Sequence, residues 1–237
     1  MLSVQNVTKT FGHHTALSEL TLEVASGETV CLLGANGAGK TTTINLLLGF
    51  SAPDQGVVRV DGRDPIKESI KTRQALAYIP ENVALYPSLS GLENLAYFDR
   101  LSGHKRSSAE LKALLLDVGL QERDITRPVS AYSKGMRQKV GLAIAFAKKA
   151  KALLLDEPMS GLDPKAASDF TQRLTTFNDA GCAVLIATHD IFRAKESASR
   201  IGIMKAGRLV DMIDPTGLDA GRIEQIYLQH MHADVAS

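Results

Sequence analysis

Gly34-Ala35-Asn36-Gly37-Ala38-Gly39-Lys40-Thr41 is the stretch that decides how this chain is read. It fits the pattern G-x-x-x-x-G-K-[ST], and its surroundings matter as much as its letters. Before it runs Thr29-Val30-Cys31-Leu32-Leu33, a short apolar run that reads as a buried strand. After it, residues 41–48 read as a helix that Gly49 ends. Strand, glycine-rich loop and helix together form a cradle for phosphate. Glycines let backbone N–H groups curl around an anion without Cβ clashes. The helix N-terminus adds partial positive charge. Lys40 is placed to reach the outer phosphates, and the Thr41 hydroxyl is a hard-oxygen ligand suited to Mg²⁺. Gly34, Asn36, Gly37, Ala38, Gly39 and Thr42 complete the expected phosphate-binding set.

Further along, Leu153-Leu154-Leu155-Asp156-Glu157-Pro158 brings two carboxylates to the end of an apolar strand. Open α/β sheets bind ligands at that edge. Asp156 is the expected metal ligand. Glu157 is expected to point elsewhere, since side chains alternate along a strand, and to polarise a water for in-line attack on the γ-phosphate.

The rest of the chain gives these motifs a frame. Residues before Val30 read as short strands broken by turns, and 57–60 as another strand. Residues 82–150 carry helical patterns over 94–101, 109–118 and 137–149, which predicts a helical subdomain inserted into an α/β core. Strands over 152–155 and 183–187 alternate with helices over 165–178 and 191–199. Such alternation predicts a parallel sheet covered on both faces. A hairpin over 201–212 turns at Ala206-Gly207, and a last helix is expected over about 218–231.

Bulk properties remove several classes. The chain has 237 residues, enough for one domain. Its 27 basic and 26 acidic residues nearly cancel, so no nucleic-acid footprint is expected. The longest apolar or small-residue run, Val140 to Ala147, is far short of a bilayer span, which takes roughly 18 residues or more. The first residues lack a signal-peptide pattern, so a cytoplasmic location is expected. Cys31 and Cys182 fit no metal or redox spacing and read as reduced thiols. His230-Met231-His232 reads as a polar tail, and Lys148-Lys149-Ala150-Lys151 as a solvated charge run.

One more segment narrows the class. Tyr132-Ser133-Lys134-Gly135-Met136-Arg137-Gln138 precedes a helix, with Ser133 as a natural N-cap. It resembles the signature motif of the ATP-binding-cassette (ABC) ATPase family, usually Leu-Ser-Gly-Gly-Gln. The order of the other motifs resembles that family too, from about residue 4 to 210. The resemblance implies an ABC-type nucleotide-binding domain. This is a P-loop NTPase of RecA-like α/β core, with an antiparallel β subdomain and the helical insertion, occupying 1–237 as a single domain. It implies ATP and Mg²⁺ as ligands. It makes Phe11 the adenine platform, and Ser133, Gly135 and Gln138 the contacts to an opposite nucleotide. It makes Asp163, in Ser160-Gly161-Leu162-Asp163, part of the D-loop, and His189 the switch histidine beside the catalytic Glu157 and Lys40. Glu81 occupies the place of the usual Q-loop glutamine and, with Thr41 and Asp156, is an expected metal ligand. Two departures stand out: Glu81 for glutamine, and Lys134 for the first signature glycine.

By the same resemblance two such domains close head-to-tail around two ATP molecules, as a homodimer or with a homologue. The membrane-spanning work falls to separate permease subunits, with this chain peripheral on the inner face of the membrane. Tyr86, Leu89 and Leu92 are either contacts for such a partner or core of the helical subdomain. Pro80-Glu81-Asn82, Leu85-Tyr86-Pro87 and the 132–138 segment resemble the ABC-2 exporter branch, and within it the ATPases of nitrous-oxide-reductase maturation transporters. A soluble ABC ATPase acting on DNA or ribosomes is the alternative. Against it stand the single cassette and the absence of any heptad run between Lys40 and Ser133.

Overall fold

The computed structural model describes residues 1–232. Two sheets organise the chain. The first is antiparallel: β1 (Leu2–Phe11) lies between β2 (His14–Val24) and β4 (Gln55–Val60). The expected short strands are therefore two long ones. Irregular register in β1, between Val4 and Val7 and again up to Thr10, breaks the alternation that would have revealed their length.

The second sheet has six strands in the order β5 (Leu76–Ile79), β6 (Ala152–Asp156), β7 (Ala183–Thr188), β3 (Thr29–Leu33), β8 (Arg200–Lys205) and β9 (Arg208–Ile213). The first five are mutually parallel, and β9 closes the edge antiparallel to β8. Every side chain of β3 and β7 is buried, as a sheet covered on both faces requires.

Period-two alternation sorts these side chains between two cores. Val30, Leu32, Leu154, Leu185 and Ala187 face α1 (Lys40–Leu47) and the antiparallel sheet. Cys31, Leu33, Leu153, Leu155, Val184 and Ile186 face the opposite core, which α5 (Lys134–Lys148) and α6 (Pro164–Asp179) cover. Full burial pushes the Cys31 thiol far up, and burial raises that of Cys182 to about 12, so both stay protonated and inert.

The helical insertion contains α3 (Gly91–Leu101) and α4 (Ser108–Asp117). Each begins earlier than its apolar pattern predicts, because a capping box sets the start. Ser90 pairs with Glu93, and Ser107 with Glu110. A short α2 (Ser69–Ala75) and β5 escaped the sequence reading altogether. The C-terminal part holds α7 (Ile191–Ser197), the β8–β9 hairpin and α8 (Ala220–His232). Lys205 Nζ donates to the His230 and Met231 carbonyls, which ties α8 to the sheet. The hairpin turn reaches further: Ser18 N–H donates to Gly207 O at 2.9 Å, and Gly207 N–H donates to Ala38 O at 3.1 Å. Among the described residues no helix is long and apolar enough to cross a membrane.

Candidate active site

The loop between β3 and α1 forms one wall of a cavity of about 440 Å³ at the C-terminal edge of the parallel sheet. Asn36, Gly37, Ala38, Gly39, Lys40, Thr41 and Thr42 line it, with Asp156, Glu157 and Glu81 opposite and Phe11 at the mouth. Gly34 lies beneath, buried. Gly39 has a φ of 104°, and a Cβ there would stand 2.6 Å from Leu17 Cδ2 and 2.8 Å from Ala16 O. No other residue type fits that corner.

Lys40 is 5% exposed. Its ammonium donates to Gly34 O at 2.6 Å and Ala35 O at 3.1 Å, and stands 3.9 Å from Glu157 Oε1. Burial lowers its pKa from the ordinary lysine value, while Glu157 and Asp156 pull it back up. The Thr41 hydroxyl donates to Asp156 Oδ2 at 3.0 Å. Burial raises the Asp156 carboxyl, and the nearby Glu157 and Glu81 charges push the same way; the Thr41 bond and Lys40 oppose them. A carboxylate so placed, beside a hydroxyl ligand, is stabilised by a cation. Among the described residues no group of three or more acidic, histidine or cysteine side chains forms a protein-only metal cage. Mg²⁺ needs none, since it takes one or two carboxylates and completes its shell with water and phosphate oxygens. The donor set fits that ion.

Glu157 lies just beyond β6, with φ at +46°, so strand alternation is not what aims it. A non-glycine residue in this region costs about 1–3 kcal/mol and persists only where its surroundings fix it. They do. Its N–H donates to Ala187 O at 2.9 Å, and its carbonyl accepts from Ser160 N–H at 3.1 Å. Thr188 Oγ1 donates to Glu157 Oε2 at 3.0 Å, and His189 Nδ1 lies 2.8 Å from Oε1. Thr188 is a positioning residue that the sequence reading missed. At the end of an apolar β-branched strand, threonine looks like one more strand former.

Phe11 is 52% exposed, its ring open to solvent with Lys9 Nζ 5.2 Å from the centroid. His14, unassigned from sequence, lines the cavity beside it, because the register pairs it with Phe11.

The signature segment opens a second cavity, of about 350 Å³. Ser133, Lys134, Gly135 and Asp163 line it. Ser133 caps α5, accepting from Met136 N–H at 3.3 Å, and Asp163 caps α6, accepting from Ala166 N–H at 3.0 Å. Gln138 is not brought there. It is 1% exposed, and its amide donates to Pro158 O beneath the carboxylate loop. Five residues on from Ser133, at 3.6 residues per turn, it projects to a different side of the helix from Ser133 and into the core. The two departures from the expected motifs meet each other: Lys134 Nζ lies 3.3 Å from Glu81 Oε1, and Ser160 Oγ donates to the same oxygen at 3.1 Å. Those hydrogen bonds, the one from Lys134 foremost, hold the Glu81 carboxyl below the usual carboxylate range.

Of the three residues placed either in the core or at a partner contact, Leu92 packs on the core and Leu89 is half-buried. Tyr86 is exposed, edge-on to Tyr97 at 4.9 Å between centroids.

A family model described as "ABC transporter" matches residues 17–160. The Nod factor export ATP-binding protein I of Paraburkholderia xenovorans is 34% identical over 225 residues, covering 94% of this chain and 73% of that protein. The spermidine/putrescine import ATP-binding protein PotA of Pseudomonas aeruginosa is also 34% identical, covering 91% of this chain and 60% of that one. Among solved structures, the dimeric bacterial ABC transporter cassette MJ0796 superposes with a TM-score of 0.80 at 28% identity, over 92% of this chain and all of that one. A second structure of that cassette, in a post-hydrolysis state bound to ADP and Pi, matches equally well. On the family model and these relatives, the chain belongs to the ABC transporter family, as an ATP-hydrolysing, ATP-binding subunit.

Proposed function

We propose that this subunit powers an exporter, working as a head-to-tail pair beneath membrane-spanning partner chains. The observation that carries the pairing is the separation of two half-sites. The phosphate loop and the Ser133–Gly135 helix end line different cavities of one chain. A nucleotide gripped by both therefore needs two chains. The pair is of identical chains or of this chain with a homologue.

In such a site the 34–42 loop and the N-terminus of α1 hold the phosphates, with Lys40 against the outer ones. Phe11 offers its exposed ring to adenine. Thr41 and Asp156, with Glu81 near, hold Mg²⁺, which supplies charge neutralisation on the phosphate oxygens. Glu157 accepts the proton of the attacking water. Thr188 and His189 keep its carboxylate aimed, and Asp163 and Ser133 fix the ends of the helices that face the partner chain. Gln138 serves indirectly, by holding Pro158 next to Glu157.

Relatives named for export and for import match at the same identity, 34%, so overall similarity does not choose a direction. The loops do: Pro80-Glu81-Asn82, Leu85-Tyr86-Pro87 and Tyr132–Gln138 carry the ABC-2 exporter likeness, and the narrower likeness to nitrous-oxide-reductase maturation transporters. The exposed Tyr86 and Tyr97, beside a shallow cavity at Leu89 and Leu101, form the surface offered to the partner. The chain then sits peripherally on the inner face of the membrane, and no role on DNA or ribosomes is called for.

A pull-down tests this reading. Tagged Glu157→Gln protein is captured from membranes solubilised with ATP and Mg²⁺ present, and co-purifying chains are identified by mass spectrometry. A polytopic membrane protein in stoichiometric yield is expected, and its identity separates the maturation class from drug or ion exporters. Ribosomal or DNA-bound partners with no membrane protein would overturn it.

A further inference from the structure

Glu81 lines the nucleotide cavity, and Lys134 lines the signature cavity. They are 53 positions apart in sequence, yet their charged groups meet at 3.3 Å across the wall between the two cavities. Ser160, from the loop after the carboxylate strand, joins them through the same Glu81 oxygen. The pair is open to water, with 48% of the Glu81 side chain and 26% of the Lys134 side chain exposed. Such a pair adds little stability and breaks readily. Its significance lies in where it stands: it is an exchangeable contact between the nucleotide cavity and the first turn of α5.

We propose that Glu81 and Lys134 are a matched pair of positioning residues that couples nucleotide occupancy to the signature helix. The inference rests on the nucleotide reading above. Glu81 has two competing demands: the ammonium of Lys134 on one side, and any cation drawn to Asp156 on the other. A metal–nucleotide complex that recruits Glu81 loosens its hold on Lys134, freeing the amino end of α5 to meet the opposite chain. Breaking the pair is then part of the cost of binding. Substitutions that remove Lys134's charge lift that cost. This also explains why the two departures from the family pattern occur together, for a glutamine at 81 would leave Lys134 without a counter-charge.

The test is a double-mutant cycle on binding, with Mg²⁺ and a fluorescent ATP analogue, using the intact chain. Lys134→Met keeps the length of the side chain and removes its charge. It is expected to tighten analogue binding about two- to fivefold, the range an exposed ion pair supports. In a Glu81→Gln background the same change should do nothing, and Lys134→Arg should behave as the native chain. An equal effect of Lys134→Met in both backgrounds, or no effect in either, overturns the coupling. Native protein that binds no analogue at all would instead sink the nucleotide reading on which the inference stands.

Discussion

Glu157→Gln is expected to keep ATP affinity, lose hydrolysis by at least about 100-fold, and accumulate as a closed pair of subunits. A positioned general base contributes roughly 10²–10⁴ in rate, and an amide cannot accept the proton. The geometry keeps the rest of the site in place. An amide oxygen still accepts from Thr188 Oγ1, which stands 3.0 Å from Glu157 Oε2 in the native chain, and the backbone bonds to Ala187 and Ser160 do not involve the side chain. Binding should not suffer, because the change removes a negative charge from a cavity that must hold phosphates. Single-turnover hydrolysis and light scattering with ATP and Mg²⁺ read the two effects together. Near-native turnover would show that Glu157 is not the base. Loss of turnover without pairing would keep the base and remove the head-to-tail closure.

Lys40→Ala is expected to weaken ATP binding on the order of a hundredfold. A hydrogen bond to a charged group contributes roughly 1.5–3 kcal/mol, and every 1.4 kcal/mol is tenfold. Here the loss is compounded. Lys40 offsets the charges of Glu157 and Asp156, and without it two carboxylates face the incoming phosphates with no fixed cation between them. The Gly34 and Ala35 carbonyls also lose their donor, so some stability goes with the charge. Calorimetric titration should therefore be run well below the variant's melting temperature, checked by circular dichroism. Retained affinity in a folded variant would break the phosphate-loop assignment.

The parts of the molecule legible in the sequence are those where local chemistry and tertiary packing agree. Thr29–Leu33 is an unbroken buried strand between a turn and a glycine loop, and five residues flanked by glycine are too few for a helix. The turn at Ala206-Gly207 is legible through its glycine, which takes the positive φ that the turn requires. Illegible features left no mark in the hydrophobic pattern. β5 is four residues with no alternation, and exists only because β6 pairs with it. The starts of α3 and α4 are set by serine–glutamate boxes that lie upstream of the apolar periodicity. In the site, spacing alone brought Lys40, Thr41, Asp156 and Glu157 together. It could not show that Glu157 is aimed by a left-handed backbone, that Gln138 turns inward, or that Glu81 and Lys134 meet.

The Ala206–Gly207 turn has a practical consequence. Short exposed hairpins are ordinarily the places where a chain tolerates new ends or inserted domains. This one is spoken for, since Gly207 bonds both Ser18 of β2 and Ala38 of the phosphate loop. A circular permutant opened there would keep its strands and lose the brace that steadies the loop. Permutation belongs elsewhere, at a turn such as that around Gly103, where the surroundings leave open space.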